Sequence, residues 1–457
     1  MEIDFESLGI KTPTILLPSK KVDMARWAVV ACDQYTSEPE YWKEVEALVG
    51  SAPSTLRLIF PEVYLKDEEG SSARIENIHR AMKKYAEDGT LVSHGACFVL
   101  VDRQTCNTSS RKGLVVALDL EKYDYSKGSQ SLIRATEGTI VERLPPRIKI
   151  RKNACLETSH IMVLIDDPEK TVIEPLFDEK VPKEKIYDFE LMQGGGHIRG
   201  YKINHPDALA SVAGGLRKLA DATAFRKKYG VENKGVLLFA MGDGNHSLAT
   251  AKAIWEDIKS NASDKDAVMK HPARYALVEL VNIYDEGLKF EPIHRVVFNV
   301  NADELLKKFT RFLKEHQATL ECKNCESTAN LRPLLAREEG VHKILMISPN
   351  GVRALSISNP WLTLEVATLQ AFLDRFLDEN PGATLDYVHG DDVVRTLASR
   401  PDTVGFLLPP MPKKDLFTTV IREGALPRKT FSMGDASEKR FYLECRKIAK
   451  GTNLGEG

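Results

Sequence analysis

The chain has 457 residues, enough for two or three domains that each bury a core. Its 63 lysines and arginines nearly balance 65 aspartates and glutamates, and the formal net charge of −2 argues against a dedicated nucleic-acid-binding surface. No stretch approaches the roughly 18 to 20 apolar residues needed to span a membrane, and seven sparse cysteines suit a reducing compartment, so we expect a cytoplasmic protein.

Strand-like apolar runs and amphipathic helical patterns are interspersed over the first 300 or so residues. Strands are predicted, in chain order, at 27–32, 97–102, 113–118, 160–165, 196–203, 236–240 and 275–284. Helices are predicted at 37–49, 74–87 and 206–228, and from about residue 246. Because strands outnumber simple strand–helix–strand alternations, we predict an α+β fold with a mixed sheet rather than a doubly wound parallel one.

The pattern changes near residue 301. A capped amphipathic helix at 301–316 is followed by a strand at 343–348 and a second helix at 362–377. Two further segments, 385–395 and 405–410, complete what we interpret as a second, smaller α/β unit.

The most informative segment is a glycine turn between the apolar run 236–240 and the helix that follows it. The turn reads Gly242, Asp243, Gly244, Asn245 and His246. Glycines allow a tight reversal, and the unpaired N–H groups of a first helical turn favour an anion such as phosphate. The alternative is that Asp243 and Asn245 only cap the helix and His246 only covers its end.

The turn resembles that of the ParB-like superfamily, which includes ParB partition proteins, sulfiredoxin and an archaeal ADP-dependent free serine kinase. The whole chain more closely resembles the uncharacterised domain-of-unknown-function family 1015. The resemblance rests on blocks at 29–36, 135–139 with Arg147, 194–203, 241–251, 291–298 and 425–434. It implies a ParB-like core whose turn and following helix hold nucleotide phosphates.

Three departures limit this resemblance. Where the family has two histidines followed by arginine, this chain has Asn245, His246 and Ser247, so another cation must neutralise a bound phosphate or the ligand carries less charge. In the block at 29–36 only Asp33 survives of the usual Pro-Tyr-Asp, and Thr136 replaces the histidine of the block at 135–139.

The resemblance also implies roles for residues distant from the turn. Asp33 and Glu137 are candidate catalytic carboxylates together with His246, and Arg147 is a candidate phosphate-binding residue. His294 and Arg295 follow Pro292 at the start of a strand, where a buried imidazole and guanidinium need a polar partner, so we assign both to the phosphate site beside the turn. A solvated charged face is the alternative for Glu137 and Arg147. We predict a phosphate- or nucleotide-binding domain at 1–298, a smaller domain at 299–413 and a segment at 414–457 that returns to the site.

These features favour a nucleotide-dependent phosphotransferase that acts on a hydroxyl group of a small metabolite, with ATP or ADP and Mg²⁺ as cofactors. One alternative is a nucleotide-binding switch without metabolite turnover. Another is a metal-assisted hydrolase that uses Asp33, His197, His246 and His294, although their spacing matches no metal motif and we assign no metal ligands. We expect neither a nucleic acid nor a membrane partner, and the sequence is compatible with a homo-oligomer.

Overall fold

The computed structural model describes residues 3–65, 68–138, 144–325 and 331–449. The chain divides into two compact units. Unit 1 comprises Met1–Lys289 and Gly434–Gly457, and unit 2 comprises Phe290–Met433.

Unit 1 combines a large sheet with helices and a smaller sheet. Its strands are β1 Ile10–Lys11, β2 Thr14–Pro18, β3 Val29–Val30, β4 Leu91–Ala96, β5 Phe98–Gln104, β6 Arg111–Asp119, β7 Tyr123–Asp124, β8 Ile133–Arg134, β9 Leu156–Thr158, β10 Met162–Ile165, β11 Glu184–Leu191, β12 Gly196–Ile203, β13 Phe239–Asp243, β14 Tyr275–Asn282, β22 Phe441–Tyr442 and β23 Cys445–Lys447. Its helices are α1 Met24–Trp27, α2 Pro39–Val49, α3 Glu68–Glu87, α4 Leu144–Arg151, α5 Pro206–Leu219, α6 Ala222–Tyr229, α7 Asn245–Asn261 and α8 Lys265–Val268.

Within the described ranges the large sheet has the strand order β11-β12-β5-β6-β14-β10-β13-β8-β7, and β1 pairs with β6. Most neighbours are antiparallel, but β10 pairs in parallel with β14, and β8 pairs in parallel with both β7 and β13. The predicted mixed α+β sheet is therefore confirmed. The parallel pairing places β8 beside Phe239 and Ala240, the first two residues of β13, just before the glycine turn.

Both faces of the large sheet are buried. Phe98 and Leu100 of β5 belong to one apolar cluster, which includes Trp255 of α7, whereas Val99 and Val101 belong to a second cluster on the other face. Alternate residues of a strand point to opposite faces, so a strand covered on both sides reads as a continuous apolar run. Helix α7, which follows the glycine turn, is anchored by this core.

Unit 2 is a smaller α/β unit. Its elements are β15 Phe290–Phe298, α9 Ala302–Glu315, β16 Thr319–Cys325, β17 Val341–Ser348, β18 Gly351–Ser358, α10 Glu365–Glu379, β19 Thr384–His389, α11 Asp391–Ala398, β20 Thr403–Leu407, α12 Lys413–Glu423 and β21 Phe431–Met433. The sheet order is β16-β18-β17-β20-β15-β19, with β21 paired to β15. The sequence-based domain prediction divides the chain after residues 298 and 413, whereas the compact units divide before Phe290 and after Met433.

Three sequence-based element predictions were wrong. A strand was predicted at 27–32, but Trp27 is the last residue of α1, because Asp23 caps a helical turn there. The observed strand is only Val29–Val30. The predicted helix at 206–228 is two helices, since the Asp221 side chain accepts the N–H of Ala224 and starts α6. The predicted strand at 236–240 lies three residues later, at Phe239–Asp243, because pairing with β8 and β10 sets its register.

In the part of the chain that the structure describes, no helix combines the length and the apolar character that crossing a membrane requires.

Candidate functional site

The glycine turn links β13 directly to α7. Gly244 has φ 80° and ψ 27°, in the left-handed region, and α7 begins at Asn245. A Cβ atom at Gly244 would lie 3.2 Å from the Cα atom of Ile161. Both the backbone angle and the close approach to Ile161 therefore require glycine. This strand–turn–helix arrangement matches the one that the sequence predicted.

Neither of the predicted caps covers the start of α7. The residue at the N-cap is Gly244, and no side chain there accepts a hydrogen bond from the helix. The Asp243 carboxylate instead accepts the N–H of Gly244 at 2.9 Å, and Asn245 is already helical. Among the described residues, no side chain accepts the N–H groups of the first turn of α7, although the Asp243 carboxylate lies just before it.

A lysine from the C-terminal part of unit 1 lies beside the turn. Lys439 Nζ is 3.3 Å from Asp243 Oδ2. Burial alone would raise the pKa of the Asp243 carboxyl, but the charges of Lys439 and His160 and the bond from Gly244 outweigh it, so this pKa lies below its usual value. The ionised Asp243 holds the ammonium group of Lys439 at the start of α7.

The segment that carries Lys439 is itself held by a buried arginine. The Arg103 guanidinium donates to the carbonyl oxygens of Ser437 at 3.1 Å and Gly195 at 3.1 Å, and it lies 4.9 Å from the ring centre of Phe441. Arg103 is 1% exposed, and burial lowers its pKa to about 9. A fully buried guanidinium bound to these carbonyls restrains the chain on both sides of Lys439.

His160 lies on the other side of the turn. Its Nε2 atom is 3.5 Å from Ser247 Oγ in the first turn of α7 and 3.9 Å from Asp33 Oδ2. Its Nδ1 atom is within hydrogen-bond distance of the Tyr442 hydroxyl, at 2.7 Å. The His160 side chain is 5% exposed, and its Nε2 atom lies near both the Asp33 carboxylate and the Ser247 hydroxyl.

Tyr442 connects the histidine to the first sequence block. β22 pairs with β3, and the Tyr442 hydroxyl donates to Cys32 Sγ at 3.0 Å. Burial raises the pKa of both the Tyr442 hydroxyl and the Cys32 thiol well above their usual values, so both groups keep their protons. Cys32 therefore has the properties of a packing thiol rather than of a nucleophile.

Arg147 also reaches this region. It lies on α4, which packs against α7, and its guanidinium forms an ion pair with Glu62. Burial raises the pKa of the Glu62 carboxyl, although the positive charge of Arg147 opposes that shift. Arg147, Glu62, His160 and Ser247 all line one cavity of about 130 Å³.

Glu137 follows the strand beside β13. The Thr136 hydroxyl donates to the carbonyl oxygen of Met241 at 2.7 Å, one residue before Gly242. Glu137 comes next in the chain and is partly exposed. Thr139, which belongs to the same sequence block, lies outside the described residues. His246 occupies the first turn of α7, where its carbonyl oxygen accepts the Thr250 hydroxyl at 2.7 Å.

His294 and Arg295 belong to unit 2. Arg295 is fully buried and donates to Gln370 Oε1 at 3.1 Å and to the carbonyl oxygen of Arg428 at 3.0 Å. The Nδ1 atom of His294 accepts the N–H of Leu408 at 3.2 Å. These contacts lie within unit 2, and the assignment of both residues to the phosphate site stays a prediction.

His197, part of the metal-hydrolase alternative, lies on the β11–β12 hairpin. Its two ring nitrogens are 2.6 Å from Asp188 Oδ1 and 2.7 Å from Glu190 Oε1. The described residues contain no group of three or more His, Cys, Asp or Glu side chains arranged to hold a metal ion.

Sequence reasoning missed His160, Tyr442 and Lys439 as site residues. His160 stands at the start of a predicted strand, and Lys439 lies five residues beyond the last block at 425–434. The only signal in the sequence was that these polar residues lie next to a predicted strand or to one of the sequence blocks. Tyr442 meets Cys32, 410 residues away in the sequence, because β22 pairs with β3, and no local pattern indicates that pairing.

Comparison with known proteins identifies a family for most of the chain. The sequence profile of a family described as "Protein of unknown function (DUF1015)" matches residues 16–376. No functionally curated protein matches the sequence.

Several solved structures resemble the chain weakly. A free serine kinase in complex with AMP has a TM-score of 0.36 and 10% identity, over 73% of this chain and 91% of that chain. A conserved hypothetical protein from Pyrococcus furiosus has a TM-score of 0.34 and 11% identity, over 73% and 95% of the two chains. SbnI from Staphylococcus aureus, truncated at its C-terminus, has a TM-score of 0.32 and 10% identity, over 74% and 85%.

Proposed function

The chain belongs to the DUF1015 family of proteins of unknown function, and we propose that this member is a nucleotide-dependent phosphotransferase acting on a hydroxyl group of a small metabolite. The observation that carries the proposal is the uncapped start of α7 at Gly244, with Lys439 held beside it by Asp243. Main-chain N–H groups at a helix start and a nearby ammonium group are the chemistry that binds phosphate oxygens.

In the proposed site, the turn from Gly242 to His246 holds the phosphates of ATP or ADP. Lys439 takes the place of the family's missing arginine as the neutralising cation. Arg147 on α4 is the second candidate cation, and to bind phosphate it must exchange its partner Glu62 for phosphate oxygens. Phosphoryl transfer demands mainly such positioning and charge neutralisation from a protein.

The reaction joins the acceptor hydroxyl oxygen to the terminal phosphorus of the nucleotide. As this O–P bond forms, the bond from the same phosphorus to its bridging oxygen breaks, and the nucleotide leaves one phosphate shorter. The hydroxyl proton passes to a carboxylate, for which Asp33 and Glu137 are the candidates. His160 lies 3.9 Å from Asp33 Oδ2 and is a further acceptor on the same side of the turn.

Mg²⁺ is part of this proposal because carboxylate and phosphate oxygens are its preferred ligands. Asp33 fits this role, because its carboxylate is partly exposed and is bound by the uncharged amide of Gln34 at 3.0 Å rather than by a lysine or arginine. A bound Mg²⁺ ion would supply charge neutralisation on the phosphate oxygens.

The test is a titration of ATP, ADP, CTP and GTP, with and without Mg²⁺, by isothermal calorimetry, followed by phosphate transfer to a panel of hydroxyl metabolites. We expect Lys439→Gln and His246→Ala to weaken nucleotide binding about 10-fold or more, since each lost charge-assisted hydrogen bond contributes about 1.5–3 kcal/mol. The matched control is Lys259→Gln near the other end of α7, where Lys259 pairs with Glu121 at 2.6 Å. It should leave nucleotide affinity within about twofold.

Glu137→Gln separates binding from chemistry, because Glu137 is not assigned to Mg²⁺. If Glu137 is the proton acceptor, this variant should keep nucleotide affinity and lose about a hundredfold to ten-thousandfold in turnover. Asp33→Asn also removes the proposed Mg²⁺ ligand, so it should lower both nucleotide affinity and turnover. Nucleotide binding without transfer to any metabolite would favour the switch alternative. Absence of binding by every nucleotide would refute the proposal.

A further inference from the structure

The cavity beside the first turn of α7 has mostly apolar walls. These walls are formed by side chains from the segment 58–60, from α4, and from β9 and the residues that follow it. They include Leu58, Ile59, Phe60, Ile150, Leu156 and Ile161. A cavity of about 130 Å³ is close to the size of the engineered apolar cavity, roughly 150 Å³, that binds benzene.

The charged groups that line the cavity are compensated by one another. Arg147 forms an ion pair with Glu62, and Arg151 Nη2 lies 2.5 Å from Glu157 Oε2. The Glu157 carboxylate is further bound by Arg446 Nε at 2.8 Å. A ligand with a charged group inside the cavity would have to displace these ion pairs, whereas an uncharged, apolar ligand group would leave them intact.

One end of the cavity is polar and lies at the first turn of α7, where Ser247 lines it. His160 and Tyr442 line this end as well, and Ser247 Oγ and His160 Nε2 are 3.5 Å apart. This end provides hydrogen-bonding partners for a single hydroxyl group. The rest of the cavity offers side chains that favour CH₂, CH₃ or aromatic CH groups.

From this arrangement we infer that the cavity binds the apolar body of the phosphoryl acceptor, an uncharged alcohol whose hydrocarbon part is about the size of a benzene ring. Its hydroxyl group lies at the His160–Ser247 end, within reach of a phosphate held by the turn. This inference rests on the proposed phosphotransferase function. It assigns the site a substrate class that is neither an amino acid nor a polyol.

The test measures binding of the straight-chain alcohols from ethanol to octanol to the full-length protein by saturation-transfer NMR, with serine and glycerol as polar probes. Each buried CH₂ group should increase affinity about fourfold, and the increase should stop near six carbons, where the cavity is full. Serine and glycerol should bind at least tenfold more weakly than hexanol.

Ala154→Leu fills part of the cavity, because Ala154 lines it and is only partly exposed. In this variant the affinity should stop increasing at an alcohol about three carbons shorter than in the unsubstituted protein. The reason is that the added side-chain atoms of leucine occupy that part of the cavity. The matched control is Ala220→Leu, at the C-terminal end of α5, which does not line the cavity. Neither variant alters the glycine turn, so nucleotide titration should be the same in both.

Any of three results would overturn the inference. The affinity for the alcohols could be independent of their chain length, serine and hexanol could bind equally well, or Ala154→Leu could bind the alcohol series just as the unsubstituted protein does. Failure of the proposed function has a different signature. The alcohol series would then behave as expected, while no nucleotide binds and no phosphate is transferred to any of these alcohols.

Discussion

Gly244 combines a left-handed backbone with a neighbour, Ile161, that a side chain at this position would crowd. Its φ is 80°, and a Cβ atom would lie 3.1 Å from Ile161 Cγ1. We expect Gly244→Ala to lower the free energy of unfolding by about 1–3 kcal/mol, because alanine in the left-handed region is strained and Ile161 must move. The same shift would displace the start of α7 and weaken nucleotide binding. Urea unfolding and calorimetric titration measure the two effects.

The control for this prediction is Gly214→Ala in the middle of α5. Apart from its chain neighbours and the backbone of its own helix, no atom of the described residues lies within 4 Å of a Cβ built at Gly214, and its backbone is helical. Alanine should therefore be neutral or stabilise the protein by up to about 1 kcal/mol. Equal stability of Gly244→Ala and the unsubstituted protein would contradict the argument about the turn.

At the scale of elements, His294 joins β15 to α11 and to the residue that follows β20. Its Nε2 atom lies 3.1 Å from Asp391 Oδ1, and its Nδ1 atom accepts the N–H of Leu408. Burial lowers the pKa of His294 to about 4, although Asp391 opposes the shift. A proton on Nδ1 would remove the acceptor that Leu408 uses, so the folded protein favours the neutral ring.

The stability that His294 contributes should therefore depend on pH. A folded-state pKa of about 4 lies below the unfolded value of about 6.5, so the contribution is complete above pH 6.5 and is lost as the pH falls towards 4. The loss should approach about 3 kcal/mol, measured by urea unfolding between pH 7.5 and pH 4.5. His294→Gln should unfold with a shallower pH dependence over this interval. An identical pH dependence in the variant would rule out His294 as its source.

At the scale of the whole molecule, the four tryptophans report on the two units separately. Trp27, Trp42 and Trp255 are buried in unit 1, whereas Trp361 lies in unit 2 and is 37% exposed. In Trp361→Phe, all tryptophan emission therefore comes from unit 1. A nucleotide at about one hundred times its dissociation constant should add about 2.7 kcal/mol to the unfolding free energy that this emission follows.

Lys439→Gln in the same Trp361→Phe background serves as the control, because it should need a higher nucleotide concentration for the same stabilisation. Denaturation curves at several nucleotide concentrations provide the measurement. An unfolding midpoint that does not move at millimolar nucleotide would exclude specific binding to the native state of unit 1.

Much of the fold could be predicted because its signals are local. The strand at 196–203 was predicted correctly, because apolar residues recur along it after a glycine turn. The mixed character of the sheet was also predicted correctly, because strands outnumber simple strand–helix–strand alternations. The register of β13 could not be predicted in this way. Its ends depend on pairing with β8 and β10, which lie far away in the sequence.

By itself, the sequence determined the glycine turn and the helix that follows it, because left-handed glycine geometry and helical periodicity depend on neighbouring residues. Only the tertiary structure decided which side chains surround that turn. Tyr442 meets Cys32 across 410 residues of sequence, and Lys439 reaches Asp243 because a buried arginine holds its segment in place. Such contacts are selected by burial and by strand pairing between distant segments, and no local pattern encodes them.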